Sequence, residues 1–280
     1  MRKMLILAAA LVLAMQAGAY AATMPHTPRN EGVSSGLDAV RGVDSKTSVV
    51  TIYGRTSGGA AYTTSEAGYG NTGGALVWDG DSAFTHQSSG YAVEIKSGDT
   101  GDSETGPGAR TVLVSGINSS YAAQSETVTL DGTTGASTTN RNYLQINSIT
   151  VSTAGGQGSN VAAITARETS GGDRVGVIDA FANRTRTGAY CVPLNYDGYI
   201  TQLNIGTDDT ADCIVRVEKL VYGGVWTEVA REYVYAGTKV VNYEIPIHID
   251  EKEFVRIRAM SCSDATTDIA VRADLYLVSE

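Results

Sequence analysis

The chain has 280 residues, a net charge of −9 and only 18% charged residues, set against 32 Gly, 15 Tyr, 3 Phe and 5 Pro. That length gives one or two domains with a real core. The acidity excludes the broad basic footprint of a nucleic-acid-binding protein, and hydrophobic residues, 42% of the chain and arranged in alternation, exclude disorder over its whole length.

Residues 1–22 read as a signal-like hydrophobic segment. Arg2 and Lys3 give a positive start, residues 4–14 form an apolar run too short to span a membrane, and Ala19-Tyr20-Ala21 fits small-x-small cleavage. Residues 23–48 carry two prolines and no clean period, which predicts an extended arm. A short strand is expected at 49–53. Residues 54–75, rich in Gly, Ser, Thr and Ala, are either a long loop or weak strands. Residues 91–97 alternate and predict a strand, and the acidic loop SGDTGDSETGPG follows.

Residues 106–151 organise the first half. Arg110, Val112 and Val114 alternate with Thr111, Leu113 and Ser115, and Glu126, Val128 and Leu130 alternate with Thr127, Thr129 and Asp131. Strict alternation places successive side chains on opposite faces of a half-buried strand. Asp131-Gly132 accepts positive φ and predicts that the chain folds back there. In the third strand Leu144 and Ile146 are out of step with Ile149 and Val151, so a β-bulge is expected near Asn147-Ser148. Strands follow at 161–166 and 175–178 around a hairpin turn, and at 187–192 up to Pro193; residues 195–198 read as a turn. Longer alternating strands are expected at 200–205, 213–220, 225–235, 240–249, 254–260 and 269–278. Pro246, inside one of them, predicts an edge strand or a bulge.

More than ten short strands with regular turn signals predict an all-β chain of antiparallel β-sandwich or jelly-roll-like modules behind an extended N-terminal arm. The looser composition before Pro193 suggests a Gly/Thr-rich β domain over 49–193 and a C-terminal β-sandwich over 199–280; one elaborated sandwich is the alternative.

No catalytic, cofactor-binding or metal motif is present. His26, His86 and His248 sit in no pattern. The clusters Asp79/Asp81, Asp99/Asp102/Glu104 and Asp208/Asp209/Asp212 offer oxygen ligands for Ca²⁺, but their spacing matches no EF-hand or RTX repeat, and a solvated turn is the better reading of each. Trp78, Tyr91, Trp226 and Tyr243 could stack on sugars. Trp226 reads instead as core, on one face with Ala230 and Val234, and Trp78 is left open. Cys191, Cys213 and Cys262 read as small buried hydrophobes, with at most one disulfide among them.

The run GPGARTVLVSGIN, then ETVTLDGTT, then a strand ending YLQINSITV resembles virion structural proteins of tailed bacteriophages, over about residues 78–193. The resemblance implies antiparallel β modules on the head or tail and a non-enzymatic role, with no catalytic residues to carry over. It does not say which part of the particle; taken with the all-β pattern, the missing catalytic motif and the N-terminal arm, it motivates the expectation of a head-decorating or capsid-stabilising subunit located in the virion. Its partners would be the major capsid protein or other virion proteins, and further copies of itself, a trimer by analogy, with no nucleic acid and no membrane span. Virion proteins assemble in the host cytoplasm, which conflicts with a signal. Residues 1–22 are then a signal on a secreted bacterial or prophage-derived protein, an arm kept in the particle, or the product of a misassigned start codon. The alternative function is a secreted or periplasmic β-sandwich binding module, carbohydrate-binding or adhesin-like.

Overall fold

The computed structural model describes residues 47–56, 75–80, 87, 89–134, 137–169, 172–208, 211–263 and 267–279. The signal-like segment, nearly all of the 23–48 arm, most of the 54–75 stretch, His26, Asp81, His86 and Asp209 lie outside the described residues. The regular elements among the described residues are all strands, and no helix there is long and apolar enough to cross a membrane.

The strands are β1 (Thr47–Thr56), β2 (Ala75–Leu76), β3 (Val93–Ser97), β4 (Ala109–Ile117), β5 (Ala123–Thr129), β6 (Ser137–Thr138), β7 (Gln145–Ala154) and β8 (Ile164–Glu168). They continue as β9 (Arg174–Ile178), β10 (Ala189–Cys191), β11 (Tyr196–Thr207), β12 (Asp212–Leu220), β13 (Trp226–Tyr235), β14 (Thr238–Ile249), β15 (Phe254–Cys262) and β16 (Ile269–Ser279). Two sheets, ordered β1-β16-β11-β14 and β10-β15-β12-β13, face each other. Lettered B to I in chain order, their strands read BIDG and CHEF, which is the strand order of a jelly roll. Residues 196–279 supply six of these eight strands; 47–56 and 189–191 supply the other two.

The jelly-roll core follows from the period of two. Leu203 and Ile205 of β11, Val271, Ala273 and Leu275 of β16, Val215 and Val217 of β12, and Ile257 and Ala259 of β15 are all buried between the sheets. Each large side chain among them contributes about 1.5–3 kcal/mol by leaving water. Pro246 meets both expectations: β14 is an edge strand, and residues 243–246 bulge out between the pairs Ile200–Ile247 and Gln202–Asn242. Cys213 and Cys262, opposite each other on β12 and β15, form a disulfide across 49 residues. The reading of all three cysteines as simple hydrophobes is corrected here. It holds for Cys191, buried and reduced, whose thiol burial pushes well up.

Strands β3–β9 lie between the first two strands of the jelly roll. They form sheets ordered β6-β3-β8-β9 and β5-β4-β7 around a second core that includes Val93, Ile95, Val112, Val114, Ile149 and Ile164. The bulge at Asn147 is present: Ser115 pairs with Ser148 and Gly116 with Ile146, which leaves Asn147 as the extra residue. Asp131-Gly132 does turn, with Gly132 at φ 61, but it hands the chain to the other sheet, where β6 pairs with β3. The hairpin joins β4 to β5 instead. There the Asn118 Oδ1 accepts the N–H groups of Ser120 and Ala122, and Tyr121 takes φ 62.

Candidate functional site

Of the residues singled out for stacking, Trp78 is buried, and Tyr91, Trp226 and Tyr243 are half-buried, each packed against other residues of the chain. Trp78 is buried with Leu76, Val177 and Ala189, and Tyr91 packs on the inserted module's core. Tyr243 packs on the jelly-roll core, where burial, then the Glu232 carboxylate, pushes its phenol up to about 12. The face expected for Trp226 is corrected. Val217 pairs with Ala230 but Glu218 pairs with Glu228, so Val229 is an extra residue and the phase flips. Trp226 therefore leaves the side of Ala230 and Val234 and covers the Arg256 guanidinium at 3.9 Å. Arg256 in turn donates to the buried Glu218 carboxylate at 2.7 Å, which also meets Arg216 at 2.7 Å. This network holds the outer face of β12 and β15.

The acidic clusters separate. Asp102 is fully buried, and the solvated-turn reading of it is corrected. Its carboxylate accepts the Ser97 hydroxyl at 2.7 Å, the N–H groups of Ala109 and Val161 at 2.8 Å, and that of Ala162 at 3.2 Å. Asp99 caps its own turn by accepting the Gly101 N–H, and Asp208 accepts the Asp268 N–H. His248, placed in no motif, stands between Asp197 (Nε2 to Oδ1, 3.4 Å) and Asp250 (Nδ1 to Oδ1, 3.6 Å), and its ring stacks on Tyr199. These three residues can bring one ligand atom each within 4.8 Å of one another. The two ring nitrogens face different carboxylates, so only one of them is placed to join both carboxylates around a single cation.

A concave site among the described residues lies elsewhere, along the edge of β1 that does not pair with β16. There β7 and the segment 184–190 approach it, and Tyr53 bridges to Thr187. A hollow of about 180 Å³ opens between them, walled by Thr51, Tyr53, Asn147, Ser148, Arg184 and Thr185 among others. It shares Val50, Asn147, Ser148 and Tyr190 with a wider hollow of about 430 Å³ that reaches Gln124, Ser125 and Pro193. Together they form one groove. Its walls are held from behind. The bulged Asn147 accepts the Cys191 N–H at 2.9 Å and donates to the Cys191 carbonyl at 3.0 Å, while the Thr185 hydroxyl oxygen accepts the Ile149 N–H at 3.0 Å. The Arg184 guanidinium lies over the Tyr53 ring at 5.5 Å, and Arg186 approaches the same ring at 6.0 Å. Arg186 also pairs with Asp79 at 3.6 Å and Asp179 at 4.0 Å. Burial raises the Asp79 carboxyl to about 6, against the opposing pull of Arg186. Arg184 is the only charged residue lining the groove among the described residues, on a chain of net charge −9. The arrangement suits binding of a polar ligand. It offers no nucleophile paired with a base.

No protein family and no curated protein match this chain. Among solved structures, it is similar to that of infectious bursal disease virus, Gt strain, with 9% identity over 84% of this chain and 73% of the other, at a TM-score of 0.23. The Gx strain of that virus gives 12% identity over 84% and 75%, at 0.22.

Proposed function

We propose that this chain is a structural subunit of a tailed-bacteriophage particle, decorating or stabilising the head through protein–protein contacts. The sequence resemblance over 78–193 motivates the reading, and one structural observation carries it. Strands β13 and β14 are the outermost strands of their two sheets, on one flank of the jelly roll. They are joined by a tight turn at Ala236-Gly237 (φ 35 and 101). Along this flank Tyr233, Tyr235, Val240 and Ile245 are 48, 75, 54 and 86% exposed. Edge strands carrying large apolar side chains are templates for another chain unless something covers them. A neighbouring copy or a capsid surface supplies that cover, in a closed homo-oligomer.

Two measurements test this. Purified particles should yield peptides of the chain. The soluble protein should sediment as an oligomer that Tyr235→Asp and Ile245→Asp together convert to monomer. A wild-type monomer at all concentrations, with no peptides in particles, removes the proposal.

A second reading, an exported β-sandwich binding module, is favoured by the Cys213–Cys262 disulfide. Such bonds persist in oxidising compartments, which a signal-like start would reach. A mature chain beginning at Ala22 or Thr23 in the periplasm or culture supernatant supports this reading; an intact Met1 in particles supports the first.

A further inference from the structure

The groove beside β1 has the chemistry of a carbohydrate site with one charge requirement. Its walls present the hydroxyls of Thr51 and Ser148, and the hydrogen-bonding capacity that Thr185, Asn147 and Gln124 keep beyond the backbone bonds anchoring them, the groups that exchange hydrogen bonds with sugar hydroxyls. Tyr53 adds an aromatic ring at the narrow end. The narrow hollow leads into the wider one without a break in the lining, so the shape suits an elongated ligand. At the narrow end stands Arg184, with no carboxylate among the described residues lining either hollow. A planar guanidinium resting on an aromatic ring is held in place for bidentate recognition of a carboxylate.

Other polymers fit less well. A nucleic-acid strand needs several cations along its track, and the described residues of the groove lining supply one. An added peptide strand needs a free backbone edge, and β1 is bridged to Thr187 midway along the groove. We infer that the groove binds a saccharide chain that carries an acidic sugar, whose carboxylate pairs with Arg184. This is independent of the contact surface on β13 and β14.

Titration calorimetry of the full chain tests it with a short oligogalacturonate and the neutral oligogalactose of the same length. The acidic oligomer should bind about tenfold tighter than the neutral one, the effect expected of one charge-assisted contact. Arg184→Gln should abolish that preference while leaving the melting temperature unchanged. Arg272→Gln, on the outer sheet face and paired with Asp274, should leave it intact. Raising the salt concentration should narrow the gap in the wild type only. Equal affinity for the two oligomers, binding of neither, or a preference that survives Arg184→Gln overturns the inference.

Discussion

Asp102 gives the sharpest test of how the inserted module is held. Its buried carboxylate collects four donors from three places: Ser97 at the end of β3, Ala109 at the start of β4, and Val161 and Ala162 ahead of β8. Asp102→Ala leaves three backbone N–H groups without acceptors. At about 1 kcal/mol or more for each stranded donor, the amides alone set a floor of about 3 kcal/mol. The lost Ser97 contact brings the expected loss to about 4 kcal/mol, with water entering the vacated space limiting it there. Asp102→Asn keeps an oxygen for Ala109 and Val161 but points an amino group at Ala162 and Ser97. The serine hydroxyl can turn to accept; the amide N–H cannot. That variant should lose about 1–2 kcal/mol. Urea unfolding measures both losses, and hydrogen exchange over β4 and β8 assigns them to this module and not to the jelly roll. Equal losses for the two substitutions, or a loss below about 1 kcal/mol for Asp102→Ala, would refute the argument, because the geometry would then not be what holds these segments.

Trp226→Ala removes a cation–π contact and half-buried packing against the Phe254 cluster, so it should cost about 2–3 kcal/mol in thermal unfolding, with Trp226→Phe well under half of that. Cys213→Ser opens a disulfide spanning 49 residues and should cost about 2–4 kcal/mol. Thiol titration of the unreduced, denatured wild type should find only Cys191. Asp79 is a carboxyl whose pKa rises from 3.8 to about 6 on folding. The folded state thus holds its proton over a range where the unfolded chain has released it, and stability falls as pH rises from about 4 to 6. Asp79→Asn should flatten the melting temperature across that window; an unchanged slope would show that ionised Asp79 is not destabilised by its site.

Strands whose buried residues keep one phase were legible in the sequence: β12, β15 and β16 fall within a few residues of the expected bounds, whereas β11 starts at Tyr196, inside the span expected to turn, and slips register between Ile200 and Gln202. So was the bulge at Asn147, because one residue of slip exchanges the faces of everything after it. The same rule misled at Trp226. The bulge at Val229 sits among residues of mixed polarity, and nothing apolar on either side records the slip. Asp102 was misread for a related reason. A carboxylate in a Gly-rich acidic loop looks solvated, and the donors that bury it come from backbone at 109 and 161–162, which carries no side-chain signature. The partner of β1 was not legible either, since pairing with β16 joins opposite ends of the described chain.

The groove is invisible to motif reading because its walls come from β1, the β4–β5 hairpin, β7 and the segment leading into β10. The one local hint is Asn183-Arg184-Thr185-Arg186-Thr187-Gly188, where Arg and Thr alternate as on a polar extended segment. What brings the walls together is the way the inserted module leaves and re-enters the jelly roll. The outgoing and returning chains run side by side: the Asp79 N–H donates to the Arg186 carbonyl at 3.1 Å and the Gly188 N–H to the Val77 carbonyl at 2.7 Å. Gly54 of β1 lies so close that any β-carbon there would collide with the Val77 carbonyl and the Gly188 amide. A long insertion between two strands of a closed sandwich is tolerated when its ends already meet, because the sandwich then closes no long loop. The same neck fixes Arg184 and Tyr53 against each other across the join. A ligand in the groove therefore touches both the jelly roll and the inserted module and tightens one of the contacts between them, beside the Asn147–Cys191 bonds.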